Sequence, residues 1–143
     1  MSDVVQMNEL GFYTLPGAPR SPRDLIDEVR SAESLGIGAC FISERFNIKE
    51  AVTLSGAVGA VSQSIGIATA ATNHNTRHPL VTASYATTMH RLTGGRFCLG
   101  IGRGIAPMFS AYGIPAITTA QMEDFARVMR RLFRGEVIIG HDG

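Results

Sequence analysis

Ile65-Gly66-Ile67-Ala68-Thr69-Ala70-Ala71-Thr72-Asn73-His74-Asn75-Thr76-Arg77-His78-Pro79 is the stretch on which the fold turns. Residues 65–71 are apolar or small without alternation, the pattern of a strand buried on both faces. Thr72 to His78 is an unbroken polar run, and Pro79 stands where the first turn of a helix accepts a proline. The stretch therefore reads as strand, polar exit, helix. Val81, Tyr85, Thr88 and Leu92 supply the predicted stripe of that helix, and Gly94-Gly95 closes it.

The same unit recurs on both sides. Upstream, Leu10 to Leu15 reads as a strand, Pro16-Gly17 as its break, and Ser21-Pro22 as a helix start. Leu25, Ile26, Val29, Ala32 and Leu35 share a helical face over about Pro22 to Leu35, with Gly36 at the stop. Next come an apolar run Ala39 to Ile42, a junction Ser43-Glu44-Arg45, and a helix with Ala51, Leu54, Val58 and Val61 on one face. Downstream, Arg96 to Ile101 reads as a fourth strand and Gly102 to Gly104 as its exit. After an irregular stretch, Thr118 and Gln121 form a capping-box pair ahead of Met122, Phe125, Met129, Leu132 and Phe133. Glu136 to Gly140 then predicts the start of a further strand, and His141-Asp142-Gly143 a turn.

Repeats of about 30 residues built on non-alternating strands predict right-handed βαβ units and a parallel sheet. Two architectures use the unit. With 143 residues, length alone favours an open doubly wound sheet over a (β/α)8 barrel of about 250. A strand at 136–140 left without its hairpin partner argues instead for a severed barrel, or for a half-barrel that pairs with a second copy.

Composition removes several classes of function. Thirteen Lys plus Arg against twelve Asp plus Glu give a formal charge of +1, which argues against a basic nucleic-acid groove. No run approaches the roughly 18 apolar residues of a membrane span, and Met1 to Leu10 is too polar for a signal peptide. The expectation is a cytoplasmic chain whose Cys40 and Cys98 are reduced and act as small hydrophobes.

Ligands of parallel α/β folds lie at the carboxyl ends of the strands. The exits here are Tyr13-Thr14, Glu44-Arg45, Thr72 to His78 and Gly102 to Gly104. The third can hydrogen-bond a polar ligand or simply be a solvated connection. His74 and His78 are four apart, but Pro79 puts both outside the helix and no third ligand is near, so no metal site is expected. Gly100-Ile101-Gly102-Arg103-Gly104 begins like a dinucleotide fingerprint, yet Ile105 occupies the third glycine's place.

Ala71-Thr72-Asn73-His74-Asn75-Thr76-Arg77-His78-Pro79, followed by Leu92-Thr93-Gly94-Gly95-Arg96-Phe97-Cys98-Leu99-Gly100-Ile101-Gly102, resembles the bacterial luciferase-like flavin and deazaflavin oxidoreductases. The resemblance implies a (β/α)8 TIM barrel of which 1–143 is the N-terminal half, with four βα units in 1–135 and the start of a hairpin insertion in 136–143. It is nearest to the branch that uses coenzyme F-420, a deazaflavin that gives or takes a hydride at C5, with the FMN-dependent monooxygenases adjacent. It implies a non-proline cis peptide at Ala70-Ala71 against the ring. Glu44, Thr72 and Asn73 match cofactor contacts, and Gly102 and Arg103 lie near the ring edge. Where the sugar-phosphate dehydrogenase branch has a catalytic His there is Arg45, and where it has a catalytic Glu there is Ile105, so that substrate is not implied. Arg45 stays charged near pH 7 and suits pairing with an anion. His74 is the titratable group of the loop beside the bulge. Both stand as catalytic candidates toward an unidentified small-molecule substrate.

The family's phosphate-tail contacts lie on later strands, so residues 1–143 alone are expected to bind cofactor weakly or not at all. Two rivals remain. One is a non-catalytic half-barrel homodimer through the apolar helices 51–61 and 81–92, the surface on which the family dimerises. The other is a flavodoxin-like domain, whose phosphate loop should be rich in Ser, Thr and Gly where this chain has Leu15-Pro16-Gly17-Ala18-Pro19.

Overall fold

The computed structural model describes residues 5–141. In chain order it contains β1 (Met7–Tyr13), α1 (Asp24–Ser34), β2 (Ile37–Ile42), α2 (Ala51–Val61), β3 (Gly66–Thr69), β4 (Thr72–Asn73), a 3-10 turn (His74–Thr76), α3 (Pro79–Leu92), β5 (Phe97–Cys98), β6 (Ile101–Gly102), α4 (Ala106–Ala111) and α5 (Thr119–Phe133). The main sheet is parallel in the order β1-β2-β3-β5, and β4 pairs with β6 in a second parallel ladder.

This order settles the choice between the two architectures. A doubly wound sheet reverses its strand order and carries helices on both faces; here sequence neighbours are spatial neighbours throughout, and the helices collect on one face. Phe12, Cys40, Ile67 and Phe97 form one cross-strand row, packed in a single core with Leu25, Val29, Leu54, Val58 and Met89 from the helices. Each fully buried Leu, Ile or Val contributes about 1.5–3 kcal/mol. The alternate row, Tyr13, Phe41, Ala68 and Cys98, points the other way, and Tyr13 and Phe41 stay 42% and 37% exposed. The chain is part of a barrel wall, and the open sheet favoured by length is set aside.

Side-chain ties explain the strand starts. Glu33 Oε1 at the end of α1 accepts from the backbone N–H groups of Gln63, Ser64 and Ile65 at 2.9, 2.6 and 2.9 Å. Arg96 donates to the carbonyls of Ile65 and Ser62 at 2.6 and 3.1 Å, so the Gly-Gly-Arg-Phe entry clamps β5 beside β3. The Thr118–Gln121 capping box opens α5 as the sequence predicts.

Four expectations need correction. The buried face of α3 is Thr82, Ala83, Ala86 and Met89, while Val81 and Leu92 are 54% and 60% exposed, because small residues rather than the large apolar ones meet the sheet and α5. Residues 136–140 form no strand: Glu136 instead pairs with Arg131 and Arg134, and Val137 and Ile139 are exposed, since no strand edge among the described residues pairs with them. Cys98 is exposed on the alternate row rather than buried, whereas Cys40 is buried and its thiol is pushed up to about 12 by that burial. The stretch after Gly104 contains α4. The Asp142-Gly143 turn lies outside the described residues.

Candidate active-site cleft at the strand exits

The third strand ends at Thr69, and the Ala70–Ala71 peptide that follows is cis. Backbone bonds tie this corner to both neighbours: Ala70 N–H donates to Ile42 O at 2.8 Å, Glu44 N–H to Ala71 O at 3.0 Å, and Thr72 N–H to Gly100 O at 3.0 Å. Thr69 Oγ1 donates to Gly100 O and accepts from Gly100 N–H, both at 2.8 Å. Gly100 must be glycine, because a Cβ built there lies 2.0 Å from Thr69 O.

A cleft of about 170 Å³ opens on this corner. Ala71, Asn73 and Gly102 line its floor; Ser43, Glu44 and Arg45 line one side; Phe46, Met108, Phe109 and Tyr112 supply an apolar wall. Phe46 packs against Phe109 and Tyr112 with ring centroids 6.1 and 6.4 Å apart. The floor is open because its residues are small: a Cβ on Gly102 would come 3.2 Å from the Ala71 Cβ. Small floor, apolar wall and polar rim fit a flat ring with one greasy face and a hydrogen-bonding edge.

The candidate residues take different places around it. Glu44 borders the cleft, but its carboxylate turns inward and is 1% exposed. Oε1 accepts from Ala51 N–H at the start of α2 at 2.9 Å; Oε2 accepts from Thr72 Oγ1 at 2.7 Å and from Arg77 Nη2 at 3.1 Å. Arg77 also donates to Thr72 Oγ1 at 2.9 Å and pairs with Glu50. Glu44 thus braces the bulge through Thr72 and Arg77. Burial pushes the Glu50 carboxyl up, but the Thr53 and Val52 N–H bonds and the Arg77 charge outweigh it and hold it below the usual range.

Thr72 is buried in that network, and Asn73 Nδ2 donates to Gly102 O at 3.2 Å. Ala70 is exposed beside the cleft. Arg45 reaches the cleft, with Nη1 donating to Gly17 O at 2.8 Å.

Two candidates lie elsewhere. Arg103 is exposed and turns to α5, donating to Thr119 Oγ1 at 3.2 Å, away from the cleft lining. His74 is buried in the 3-10 turn with its ring 4.9 Å from that of Phe125. It borders a separate pocket with Asn75, Asp124 and His141, and burial lowers its pKa. Asn73 at the end of β4 lines the cleft, whereas His74 in the following 3-10 turn lines the separate pocket. Among the described residues no group of three or more His, Cys, Asp or Glu side chains can hold a metal.

Sequence reasoning missed Ser43, Phe46, Met108, Phe109 and Tyr112. Pro107 in the first turn of α4 and the Phe109, Tyr112 spacing were legible signals for a short helix.

A one-faced helical cover on a parallel sheet, with a cleft at the carboxyl strand ends, defines part of the wall of a parallel α/β barrel. The family described as luciferase-like monooxygenase matches residues 6–143, and the chain belongs to it. A 5,10-methylenetetrahydromethanopterin reductase from Methanopyrus kandleri is 29% identical over 94 residues, which cover 66% of this chain and 27% of the reductase. The coenzyme F-420-dependent tetrahydromethanopterin reductase structure from the same organism superposes with a TM-score of 0.72 at 23% identity, over 87% of this chain and 38% of that one. The oxygenating constituent of 3,6-diketocamphane monooxygenase from Pseudomonas putida, in complex with FMN, gives 0.78 at 26% identity, over 94% of this chain and 41% of that one. The chain thus spans less than a third of the curated reductase it matches.

Proposed function

We propose that this chain is the N-terminal half, 1–143, of a luciferase-like barrel that transfers a hydride between coenzyme F-420 and an organic small molecule. The observation that carries the reading is the cleft on Ala71 and Gly102, whose small floor and aromatic wall suit a planar deazaflavin. The likeness to the F-420-dependent tetrahydromethanopterin reductase structure supports that cofactor.

When bound, the deazaflavin supplies or accepts the hydride at its C5. The chain's part is to position the reacting carbons at near-attack distance. Ala71 and Gly102 would admit a flat ring, Asn73 and Ser43 would offer it polar contacts, and Phe46, Phe109 and Tyr112 would supply its apolar contacts. Arg45 puts a fixed positive charge on the rim, stabilising negative charge that develops there. Glu44, Thr72 and Arg77 keep the floor in shape. The FMN-bound neighbour favours a second reading, an FMN-dependent monooxygenase using the same floor.

The exposed Leu80, Val81 and Leu92 of α3, with the largely apolar α2, support homodimerisation through helices 51–61 and 81–92. No helix of the described residues is long and apolar enough to cross a membrane.

The test is a fluorescence titration of coenzyme F-420, with FMN in parallel, against the chain and an Ala71→Leu variant that fills the floor. Weak saturable binding of F-420, lost in the variant, is expected. Measurable F-420 binding of equal strength by chain and variant refutes the site.

A further inference from the structure

Beside the cleft, at the end of β1, lies a cluster that the proposed function leaves unused. The Tyr13 and Ser43 hydroxyls share a hydrogen bond. Lys49, 5% exposed, folds beneath β1: its Nζ donates to Thr14 O and, at 3.4 Å, to Leu15 O, and sits 4.1 Å from the centre of the Tyr13 ring. Its backbone is fixed by a bridge to Arg45, with Arg45 N–H donating to Lys49 O at 3.0 Å. Ser43 lines the cleft, and Tyr13 stands behind it, 42% exposed.

We infer that Ser43, Tyr13 and Lys49 form a proton relay that serves a substrate carrying a polarised C=N or C=O bond in the cleft. This deepens the hydride-transfer reading and rests on it. A lysine ammonium is costly to bury unless its charge is used, and here the charge lies against the ring whose hydroxyl bonds the cleft-lining serine. Partial burial pushes the Tyr13 phenol up, but the Ser43 and Lys49 hydrogen bonds and the Lys49 and Arg45 charges outweigh it and leave the phenol below its ordinary value. The other tyrosine of this kind of environment behaves oppositely: Tyr85, bonded to Ser55 at 2.9 Å but buried in the core, is pushed up to about 12.

The step balances as follows. A hydride from a reduced donor of the deazaflavin class forms a C–H bond at the substrate carbon, and the π pair of the double bond moves to the heteroatom. That atom takes the proton of Ser43 Oγ. Ser43 recovers it from Tyr13 Oη, and the phenolate, neutralised by Lys49, is reprotonated by solvent. The substrate gains two electrons and the donor loses two. In this scheme Ser43 is the catalytic contact, and Tyr13 and Lys49 act through it.

The experiment is a pH titration of tyrosinate ultraviolet absorbance on the chain and on Tyr13→Phe, Ser43→Ala and Lys49→Met, with circular dichroism to check folding. One of the three tyrosines should ionise before the ordinary range; Tyr13→Phe should lose that step, and the other two variants should move it to higher pH. If Lys49→Met does not fold, Tyr13→Phe and Ser43→Ala decide. A wild-type chain without an early step, or one whose early step survives in Tyr13→Phe, overturns the relay. F-420 binding, followed by fluorescence on the same samples, separates the two readings. Binding without an early Tyr13 step overturns the relay alone; an early step with F-420 binding that Ala71→Leu leaves unchanged overturns the hydride-transfer site, and the relay's chemistry with it.

Discussion

Replacing Glu44 by alanine strips three hydrogen bonds at once. The carboxylate is 1% exposed and accepts from Ala51 N–H, Thr72 Oγ1 and Arg77 Nη2. Its loss orphans a helix-start N–H and leaves Arg77, 19% exposed, with the half-exposed Glu50 as its remaining carboxylate. Breaking a buried ion pair from one side costs about 3–5 kcal/mol, a large part of the roughly 5–15 kcal/mol that holds a domain together. Arg127–Glu123 on α5, with side chains 62% and 76% exposed, is the internal control; Glu123→Ala should cost under about 0.5 kcal/mol. Urea unfolding followed by circular dichroism measures both. A Glu44→Ala loss no larger than that of the control, at unchanged denaturant slope, refutes the view that this carboxylate braces the bulge.

Further outcomes follow from the same geometry. Gly100→Ala forces its new Cβ to within 2.0 Å of Thr69 O unless the backbone shifts, so it should destabilise by about 1–3 kcal/mol in the same urea assay and abolish ligand binding at the cleft. Thr118→Ala removes the cap of α5 and should cost about 1 kcal/mol, read as a lower unfolding midpoint. Burial pushes the Glu33 carboxyl up, but the Ser64, Ile65 and Gln63 N–H bonds outweigh it and depress it below the usual range. Its contribution is therefore complete above the ordinary glutamate range and is lost as pH falls through the depressed value. Glu33→Gln should lower stability at neutral pH and flatten the acid side of the stability profile; an identical profile in both proteins would count against the three-bond cap.

The repeating strand–helix unit was legible because buried parallel strands and capped helices leave local signals: residues 65–71, Pro79 and Thr118–Gln121 each mark an element the structure contains. The α3 face was misread because Val81 and Leu92 are apolar, yet the residues that meet the sheet and α5 are Thr82, Ala83, Ala86 and Met89. Residues 136–140 look like a strand in composition, but a strand exists only with a partner edge, which no local pattern supplies. At the site, strand-exit position and the family resemblance singled out Glu44, Thr72 and Asn73 as candidates, but not their orientation, because the turn into α2 and the reach of Arg77 are tertiary facts. Lys49 was invisible for the same reason: nothing in Arg45 to Glu50 says that this lysine folds beneath Tyr13. The aromatic wall was missed although Pro107 and the Phe109, Tyr112 spacing mark the six-residue α4, because the packing of Phe46 against Phe109 and Tyr112 is a tertiary fact.

The central claim is that the floor at Ala71 and Gly102 receives a deazaflavin ring. Mapping amide chemical-shift changes in the isotope-labelled chain as F-420 is added tests it even if binding is weak. The account predicts saturable changes centred on Ser43, Ala71, Asn73, Gly102 and Ile105. Saturable changes centred instead on Gln121, Asp124 and Phe125 beside His74 would contradict it.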